Sequence, residues 1–484
     1  MPLEQSVNFR RTRIVATIGP ASSSKEMIAK LVNAGVDVFR MNFSHGDLKT
    51  HQKNYKKIRD VAAHINRPIG ILQDLQGPKI RTARFEKDFV KLIKEQIFTL
   101  TCDDDSPGNI KRVGVTYKNL WKDVGPGDNI LMDDGRITLK VKEVNDHDIV
   151  TTVILGGKLS NNKGINLPGA DVGMPALTEK DIEDLKAGAE MGVDWVAMSF
   201  VRTLEDVLLA RKQLEWAGSS AKLMAKIEKP SAIDNFDAIL QQVDGIMVAR
   251  GDLGVELSPE AVPALQKRII GLCRDAGKPV VTATQMLESM ITSPAPTRAE
   301  ASDVANAIYD GTDAVMLSAE TAAGDYPIEA VEMMNRIALT VENDEGYRKS
   351  LVSRRPSPRS TVADSVAHSA CDMAKQLDAR VIVCFSASGA TAGRVSRYRY
   401  DTPILVITTS LQAYRQLSVT WGLQPILTQD ICSSDEMVEM AMRAIDNTEL
   451  ANEGDRFVIT AGVPFGIKGT TNLIRVERYK HKAQ

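Results

Sequence analysis

The feature that most constrains the fold is the repeated alternation of short apolar strands with segments of helical periodicity. Eight such runs follow one another along the chain, and they begin at Arg13, Val36, Ile69, Asp194, Ala221, Asp244, Lys278 and Asp313. Intervening stretches such as residues 204–217 and 263–276 have the apolar spacing of amphipathic helices. Eight βα units that close on themselves form a (β/α)8 barrel. A doubly wound sheet is the alternative, but eight units are many for it. We therefore predict an α/β fold built on a (β/α)8 barrel.

One interval lacks this alternation. Between Gln76 and about Pro175, short alternating runs such as QIFTLT and RITLKVKEV are separated by turn signals such as SPGN and GPGD. This pattern predicts a small all-β domain over residues 77–175, inserted after the third barrel strand. An insertion at the carboxyl end of a barrel strand can form a lid. The barrel would then comprise residues 1–76 and 176–345.

A further domain is predicted at the carboxyl-terminal end. The segment RRPSPRS, which follows Asp344, is polar and contains proline, so it indicates a linker. Strand–helix alternation resumes with RVIVCFS, PILVITT, GLQPILT and DRFVITAG. We predict a separate α/β domain over residues 346–484.

Composition excludes several classes of protein. A chain of 484 residues is too long for one hydrophobic core. With 60 Lys plus Arg and 62 Asp plus Glu, the net charge of −2 argues against a dedicated nucleic-acid binder. The five cysteines are scattered without a CxxC pair, which favours a reducing compartment. No apolar run is long enough to span a membrane, and the start has no secretory apolar region. We expect a cytoplasmic protein that does not bind membranes.

Polar residues cluster where the second and third predicted strands end. In FRMNFSHG, Arg40, Asn42 and Ser44 share one face, because side chains along a strand alternate in direction. An arginine beside short polar groups can clamp a phosphate, although it can equally pair with an acid at the barrel rim. The third strand ends in QDLQGPKIR, which places Asp74 at the strand end and Lys79 beyond a Gly-Pro turn. Turn chemistry and solvated charges are the simpler interpretation of this second group.

The strongest chemical signal lies at the ends of the fifth and sixth strands. In MAKIEKP, Lys226 and Glu228 stand two residues apart on one face, and VARGDLG places Asp252 after Gly251. Because these strands are adjacent, the two carboxylates can converge, as they do where proteins hold Mg²⁺ together with substrate oxygens. A simple ion pair between Lys226 and Glu228 is the alternative. Backbone N–H groups near Gly251 would add an anion site if they opened a helix.

The last two strands and the carboxyl-terminal domain present hydroxyl groups. Thr284 and Gln285 end the seventh strand, and Ser318 and Glu320 end the eighth. They can bind substrate or relay a proton, although Ser and Thr at such positions often cap helices.

In the last domain, FSASGATAG places four small residues on a predicted strand-to-helix turn that suits phosphate or an ordinary helix cap. These residues are Ser386, Ser388, Gly389 and Thr391. Lys468 in AGVPFGIKGTT can reach the same anion. No P-loop or dinucleotide fingerprint is present, so a phosphate site in this chain requires Lys, Arg and metal.

Eight motifs, in order and over nearly the whole chain, resemble the pyruvate kinase family. They are ATIGPAS, FRMNFSHG, QDLQGPKIR, KGINLPG, AKIEKP, MVARGDLG, TATQMLESM and MLSAETAAGDYP. The resemblance implies a phosphotransferase that moves the phosphoryl group of phosphoenolpyruvate to ADP and yields pyruvate and ATP. It also implies a β lid, a regulatory α/β domain, activation by a phosphorylated metabolite and a homotetramer.

The resemblance further implies a role for each matching residue. The implied Mg²⁺ ligands are Glu228 and Asp252. The group that stabilises the transferring phosphoryl is Lys226, and the implied phosphate binders are Arg40 and Arg81. The implied contacts of the substrate carboxylate are the backbone of Gly251 and Asp252, and Thr284. The residues implied in protonating the enolate are Thr284 and Ser318. The nucleotide-contacting positions are Thr17, Pro20, Arg40, Asn42, His45, Arg81 and Lys163. The implied potassium site comprises Asn42, Ser44, Asp74 and the carbonyl of Leu75.

One position departs from the family pattern. Lys79 stands where potassium-dependent members usually have an acidic residue, so the ammonium group can replace the monovalent cation. We predict an enzyme that needs Mg²⁺ but not K⁺. A Mg²⁺-dependent barrel enzyme of enolate chemistry, such as an aldolase, is one alternative, and a non-catalytic metabolite sensor is another. The presence of Lys226, Glu228 and Asp252 argues against the sensor.

Overall fold

The computed structural model describes residues 9–104, 106–170, 173–429, 433–448, 450–464 and 470–481. The predicted α/β fold with a barrel is confirmed: eight strands pair in parallel, each with its sequence neighbour, and the first pairs with the last. Their side chains are almost entirely buried, which accounts for the near-continuous apolar runs in the sequence. The barrel strands are Arg13–Thr17, Val38–Asn42, Gly70–Asp74, Trp195–Met198, Lys222–Ile227, Gly245–Ala249, Val280–Ala283 and Ala314–Leu317.

Helices surround the barrel and bury one apolar face against it. Three of them begin with a reciprocal capping box, in which a threonine and an acidic residue satisfy each other's backbone N–H groups. The main helices are Lys25–Ala34, Leu48–Ile65, Glu179–Met191, Leu204–Trp216, Val262–Ala276, Arg298–Asp310 and Pro327–Asn343. Shorter helices follow strands five, six and eight, and they span Pro230–Asp234, Phe236–Gln242, Arg250–Glu256 and Ala319–Ala322.

The segment between the third and fourth barrel strands forms an all-β unit with its own core. One sheet has seven strands, in the spatial order Ile80–Arg81, Gly164–Asn166, Asn129–Met132, Ile137–Asn145, Asp148–Leu155, Ile97–Thr101 and Arg112–Gly114. Phe89–Leu92 and Gly157–Ser160 form a second, two-stranded sheet. A four-residue helix, Leu120–Asp123, interrupts the strands, although the sequence showed no clear helix there.

The carboxyl-terminal part folds around a five-stranded sheet. Its strands, in spatial order, are Leu423–Leu427, Ile404–Thr408, Val381–Phe385, Arg456–Gly462 and Thr471–Arg478. The last strand runs antiparallel to its neighbour and was not expected. Its helices are Val362–Gln376, Ala390–Arg397, Leu411–Gln416 and Ser434–Asp446. A further helix, Glu345–Ser353, begins directly after the barrel and precedes the proline-bearing linker.

The two ends of the barrel have different neighbours. At the amino ends of the strands, Val419 packs in one cluster with Val15 and Trp195, and the Trp195 indole N–H donates to the Gln416 carbonyl at 3.0 Å. The carboxyl-terminal domain therefore covers this end, and the carboxyl ends of the strands face the β lid. Within the described ranges, none of the helices is long and apolar enough to cross a membrane.

Candidate active site

A buried network of charges lies at the carboxyl ends of strands two to five. The Lys226 ammonium contacts Glu228 Oε1 at 2.9 Å and Asp74 Oδ1 at 3.3 Å, and it donates to Ser199 Oγ at 2.7 Å. The side chains of Asp74 and Glu228 are each 1% exposed, whereas that of Lys226 is 12% exposed. The ion pair between Lys226 and Glu228, the simpler of the two interpretations, is therefore present. The ion pair also holds the Lys226 ammonium at the barrel mouth.

The charges in this network perturb one another. Burial lowers the pKa of Lys226, but the carboxylates of Asp74 and Glu228 outweigh it and raise that pKa above its ordinary value. Burial raises the pKa of Asp74, yet Lys226 and Arg40 together hold it below its usual range. Burial and the nearby charge of Asp252 raise the pKa of Glu228 despite Lys226. The two carboxylates thus favour the charged form of Lys226, whereas burial disfavours the charged form of Glu228.

Arg40 occupies the rim between strands one, two and three. Its Nε donates to Asp74 Oδ2 at 2.7 Å and its Nη1 donates to Thr17 Oγ1 at 3.1 Å. The pairing with a neighbouring acid, which the sequence left open, is present. Because the Thr17 hydroxyl also donates to the Leu317 carbonyl at 2.9 Å, the guanidinium is fixed against the strand that closes the barrel. An arginine held in this way is preorganised for a phosphate.

Asp252 lies in the first turn of a helix that begins directly after strand six. Its Oδ1 accepts from the Lys79 ammonium at 3.4 Å, and its charge acts on Glu228. Glu228 Oε2 accepts from the Phe200 N–H at 2.7 Å, whereas the one contact of Glu228 Oε1 among the described residues is the Lys226 ammonium. Two carboxylates from adjacent strands, one with a buried oxygen short of donors, fit a Mg²⁺ ion that takes its other ligands from substrate and water. Within the described residues, no group of three or more His, Cys, Asp or Glu side chains could hold a metal alone.

Strand seven ends in strained backbone. Thr284 and Gln285 have positive φ values of 66° and 54°, which are unusual for residues other than glycine. The Gly251 N–H donates to Thr284 Oγ1 at 2.7 Å, and Arg250 Nη2 donates to the Thr284 carbonyl at 2.8 Å. Arg250 is itself held by Asp303 at 2.6 Å. The Gly251 N–H, predicted as part of an anion site, is therefore engaged by the Thr284 hydroxyl.

Strand eight adds a hydroxyl and a carboxyl group. Glu320 is 3% exposed, and its Oε2 accepts from the Ser318 N–H at 2.7 Å while its Oε1 accepts from the Leu287 N–H at 3.2 Å. Burial raises the pKa of Glu320 above its ordinary value despite these hydrogen bonds. Ser318 Oγ is buried and has no partner among the described residues.

Two of the predicted nucleotide contacts are engaged with the lid. Lys163 Nζ pairs with Asp133 Oδ1 at 2.7 Å, and Arg81 Nη1 donates to the Asn162 carbonyl at 3.1 Å. Partial burial and the charges of Arg81, Arg40 and Lys79 lower the pKa of His45, so these three cations face one region beside His45. Pro20 is exposed at the barrel rim.

In the predicted potassium site, oxygens of Asn42, Leu75 and Asp74 have internal partners. Asn42 Oδ1 accepts from the Ser44 N–H at 3.1 Å, and the Leu75 carbonyl accepts from Ser199 Oγ at 2.7 Å. Both oxygens of Asp74 contact cations, as described above. Lys79 does not point into solvent, since its side chain is 23% exposed and its ammonium contacts Asp252.

The predicted effector residues lie at the start of helix Ala390–Arg397. Gly389 caps this helix in a left-handed conformation with φ of 82°, and Thr391 Oγ1 lies 2.6 Å from Thr471 Oγ1. Ser386 is buried and Ser388 is half-buried on the same turn. Lys468 falls outside the described residues.

Sequence reasoning missed three groups that the structure places at or near the site. Ser199 connects Lys226 to the Leu75 carbonyl, Asp303 holds Arg250, and Asn166 of the lid donates to Glu256 Oε1 of the barrel at 2.8 Å. Two of them carried a signal, because Ser199 lies near the end of the fourth predicted strand and Asn166 lies in the KGINLPG motif. Asp303 acts from a distant helix, and Asn166 acts from the lid.

Comparisons with known proteins agree with this geometry. Residues 9–331 match the family model for the pyruvate kinase barrel domain, and residues 364–477 match that for the pyruvate kinase alpha/beta domain. A pyruvate kinase of Methylorubrum extorquens is 48% identical over 96% of this chain and 97% of its own length. A pyruvate kinase of Agrobacterium vitis is 47% identical, over 96% and 98% respectively. A pyruvate kinase of Clostridium acetobutylicum is 42% identical, over 97% and 99%.

Proposed function

The chain belongs to the pyruvate kinase family, and from that premise we propose how its own residues carry out the reaction. The reaction is transfer of the phosphoryl group from phosphoenolpyruvate to ADP, which yields pyruvate and ATP. The observation that carries the proposal is the convergence of Lys226, Glu228 and Asp252 at the barrel mouth. These groups supply the positive charge and the metal ligands that phosphoryl transfer without a P-loop requires.

Lys226 and Arg40 hold the transferring phosphoryl group from two sides. Both are charged, nearly buried and fixed by carboxylates, so they need little reorganisation when negative charge develops on the phosphoryl oxygens. Arg81 adds a third donor from the hinge of the lid. Ser199 orients Lys226 through its hydroxyl group and so acts as a positioning residue.

Glu228 and Asp252 are the side chains that would hold Mg²⁺. Family members generally use Mg²⁺ and K⁺, and the divalent ion, when bound, polarises phosphoryl and substrate oxygens. The Lys79 ammonium must move away from Asp252 when the metal binds. Phe200 keeps the second oxygen of Glu228 directed away from the ion.

Thr284 and Ser318 lie where they would contact the carboxylate and the enolate carbon of the substrate. The Thr284 hydroxyl is fixed beside Gly251, where the substrate carboxylate would lie. Arg250 donates to the Thr284 carbonyl and so stabilises the strained backbone of this loop. The unpartnered Ser318 hydroxyl, beside buried Glu320, can pass a proton toward the enolate that remains after transfer.

The nucleotide lies between barrel and lid. Thr17, Pro20, Asn42 and His45 line the barrel side, and Lys163 approaches from the lid. Closure of the lid excludes water, so that the phosphoryl group reaches ADP rather than water.

K⁺ is dispensable in this enzyme. The charge of the Lys79 ammonium acts on His45 together with those of Arg40 and Arg81, and it adds positive charge to this side of the site once the ammonium has left Asp252. A second cation about 4 Å away would be repelled by roughly 4 kcal/mol at an effective dielectric of about 20. The internal partners of Asn42, Leu75 and Asp74 support the same proposal.

Four further properties extend the proposal beyond the site. The turn around Gly389 and Thr391 binds a phosphorylated activator, because small residues and free N–H groups there open a helix. Thr391→Glu should abolish that activation in a titration of phosphorylated metabolites at low phosphoenolpyruvate concentration.

The enzyme is a homotetramer and acts in the cytoplasm, where its buried free cysteines stay reduced. The domain limits are residues 1–76, 77–175, 176–345 and 346–484.

The decisive experiment mixes protein, phosphoenolpyruvate, ADP and Mg²⁺ in a buffer of tetramethylammonium salts. Pyruvate and ATP should form in equal amounts, and Glu228→Gln should abolish both. Absence of both products, with cleavage of an aldol substrate supplied in place of phosphoenolpyruvate, would favour an aldolase-type enzyme. Binding without turnover would favour a metabolite sensor.

A further inference from the structure

A cavity of about 490 Å³ lies within the lid, apart from the cluster of charges at the barrel mouth. It is bordered by the turn after strand Asn129–Met132 and by strand Gly157–Ser160. Its lining residues are Asp133, Arg136, Ile137, Gly157, Lys158, Ser160 and Lys163. Three cations and one carboxylate therefore surround it.

The charges of this lid cavity do not balance. Lys163 pairs with Asp133, the one acid among the described residues that line the cavity. Arg136 is exposed, and its side chain has no ion pair among the described residues. Lys158 Nζ lies 4.1 Å from the centre of the Phe89 ring, a contact that restrains the side chain without neutralising its charge. Among the described residues, Asp133 is thus the only acid that lines the cavity, and the charges of Arg136 and Lys158 have no counter-ion there.

The lid cavity is adjacent to the barrel mouth. The Asp133 N–H donates to the Gly164 carbonyl, and a Cβ on Gly164 would lie 3.1 Å from Lys79 Cε. Lys79 in turn contacts Asp252. On the other side, Gly135 approaches Val255 of the helix that carries Asp252, with 4.0 Å from an added Cβ to Val255 Cγ1. Only short contacts separate the lid cavity from the metal-ligating carboxylates.

We propose that Arg136 and Lys158 form a polyphosphate-binding site in the lid. A chain of phosphates matches two neighbouring cations that lack counter-ions, since a phosphate accepts several charge-assisted hydrogen bonds at once. The phosphates can come from the nucleotide, with its tail extending past Lys163, or from a free polyphosphate. The first source rests on the proposed function, whereas binding of the phosphates does not.

The binding test uses inorganic triphosphate and isothermal titration calorimetry in the absence of Mg²⁺. The double variant Arg136→Ala with Lys158→Ala should raise the dissociation constant about tenfold and flatten its dependence on salt. Lys142→Ala is the matched control, since Lys142 is an exposed lysine of the same lid outside the cavity, and it should change the constant less than about twofold. Equal affinity in the wild type and the double variant would overturn the proposal, because binding would then reside at the barrel cations.

A kinetic arm identifies the source of the phosphates. Free Mg²⁺ is held constant. The site belongs to the nucleotide tail if triphosphate competes with ADP and if the double variant raises the KM for ADP about tenfold. Inhibition that ADP does not relieve, and that the double variant loses, assigns it to a free polyphosphate. A protein that binds triphosphate through Arg136 and Lys158 but transfers no phosphoryl group would refute the proposed function while leaving this site intact.

Discussion

Replacing Lys226 by methionine tests the charge network in two ways, and the first is stability. The substitution keeps the length of the side chain but removes the cation that contacts Glu228 at 2.9 Å and Asp74 at 3.3 Å. Removing one partner of a buried ion pair typically costs about 3–5 kcal/mol. Arg40 still neutralises Asp74, so the loss falls mainly on Glu228, which can take up a proton. We therefore expect a decrease in unfolding free energy near the lower limit, about 3 kcal/mol.

The second effect of Lys226→Met is on catalysis. Loss of a preorganised group that faces developing charge typically lowers kcat by about 10² to 10³. ATP formation should fall by that factor under saturating phosphoenolpyruvate, ADP and Mg²⁺, measured with a luciferase assay on folded protein.

Lys222→Met provides the matched control for this experiment. Lys222 begins the same strand as Lys226 but lies at the opposite end of the barrel, where it stacks over Trp195. Because Lys222 lies away from the barrel mouth, this variant should retain ATP formation within about twofold. A loss of that size corresponds to less than about 1 kcal/mol. Near wild-type ATP formation by Lys226→Met, or an equal loss in Lys222→Met, would refute the reasoning.

Three other substitutions probe the lid, the barrel floor and the potassium site. Asn166→Ala removes the 2.8 Å tether from the lid to Glu256, so the KM for ADP should rise about two- to tenfold in steady-state kinetics; a fall in kcat alone would contradict this. Burial opposes the charge of Asp37, but three arginines hold its pKa below its ordinary value, so this carboxylate stabilises the fold above about pH 4 and less as the pH falls. Asp37→Asn should lower the unfolding free energy at pH 7 by about 3 kcal/mol and weaken its acid dependence in urea titrations. Lys79→Glu should make phosphoryl transfer depend on added K⁺, and equal rates with and without K⁺ would be the contrary result.

Local sequence patterns were enough to predict the barrel. Each of its strands is a short apolar run, and segments with helical spacing or capping residues separate most of them. The hydrophobic periodicity and the residues that start and end helices therefore indicate the same elements. Elements that contradict their local signals were missed. Helix Glu345–Ser353 is short and polar beside a proline-bearing segment, and strand Thr471–Arg478 is an edge strand whose side chains are only partly buried. Packing against the barrel and against strand Arg456–Gly462, rather than intrinsic pattern, stabilises them.

The site was only partly predictable, for a related reason. The contact between Lys226 and Glu228 follows from the two-residue period of one strand. The position of Ser199 between Lys226 and Asp74 depends on the register of three strands, in which Ala197 pairs with both Asp74 and Met224. Strand register and lid orientation are tertiary properties, so neither Ser199 nor the Asn166 tether could be derived from spacing.

The balance of charge at the barrel mouth determines what the site can accept. Arg40 and Lys226 are offset by Asp74 and Glu228, and Lys79 is offset by Asp252. Arg81 adds one cation for which no ion pair is present among the described residues. A phosphate and a carboxylate that enter together bring more negative charge than that, and unpaired charge is costly in a poorly solvated site. A divalent cation held by Glu228 and Asp252 would supply the missing positive charge, and Lys79 would have to leave Asp252 to make room for it. The ammonium that is freed can then turn toward the substrate, so metal binding and the positioning of Lys79 are coupled through one carboxylate.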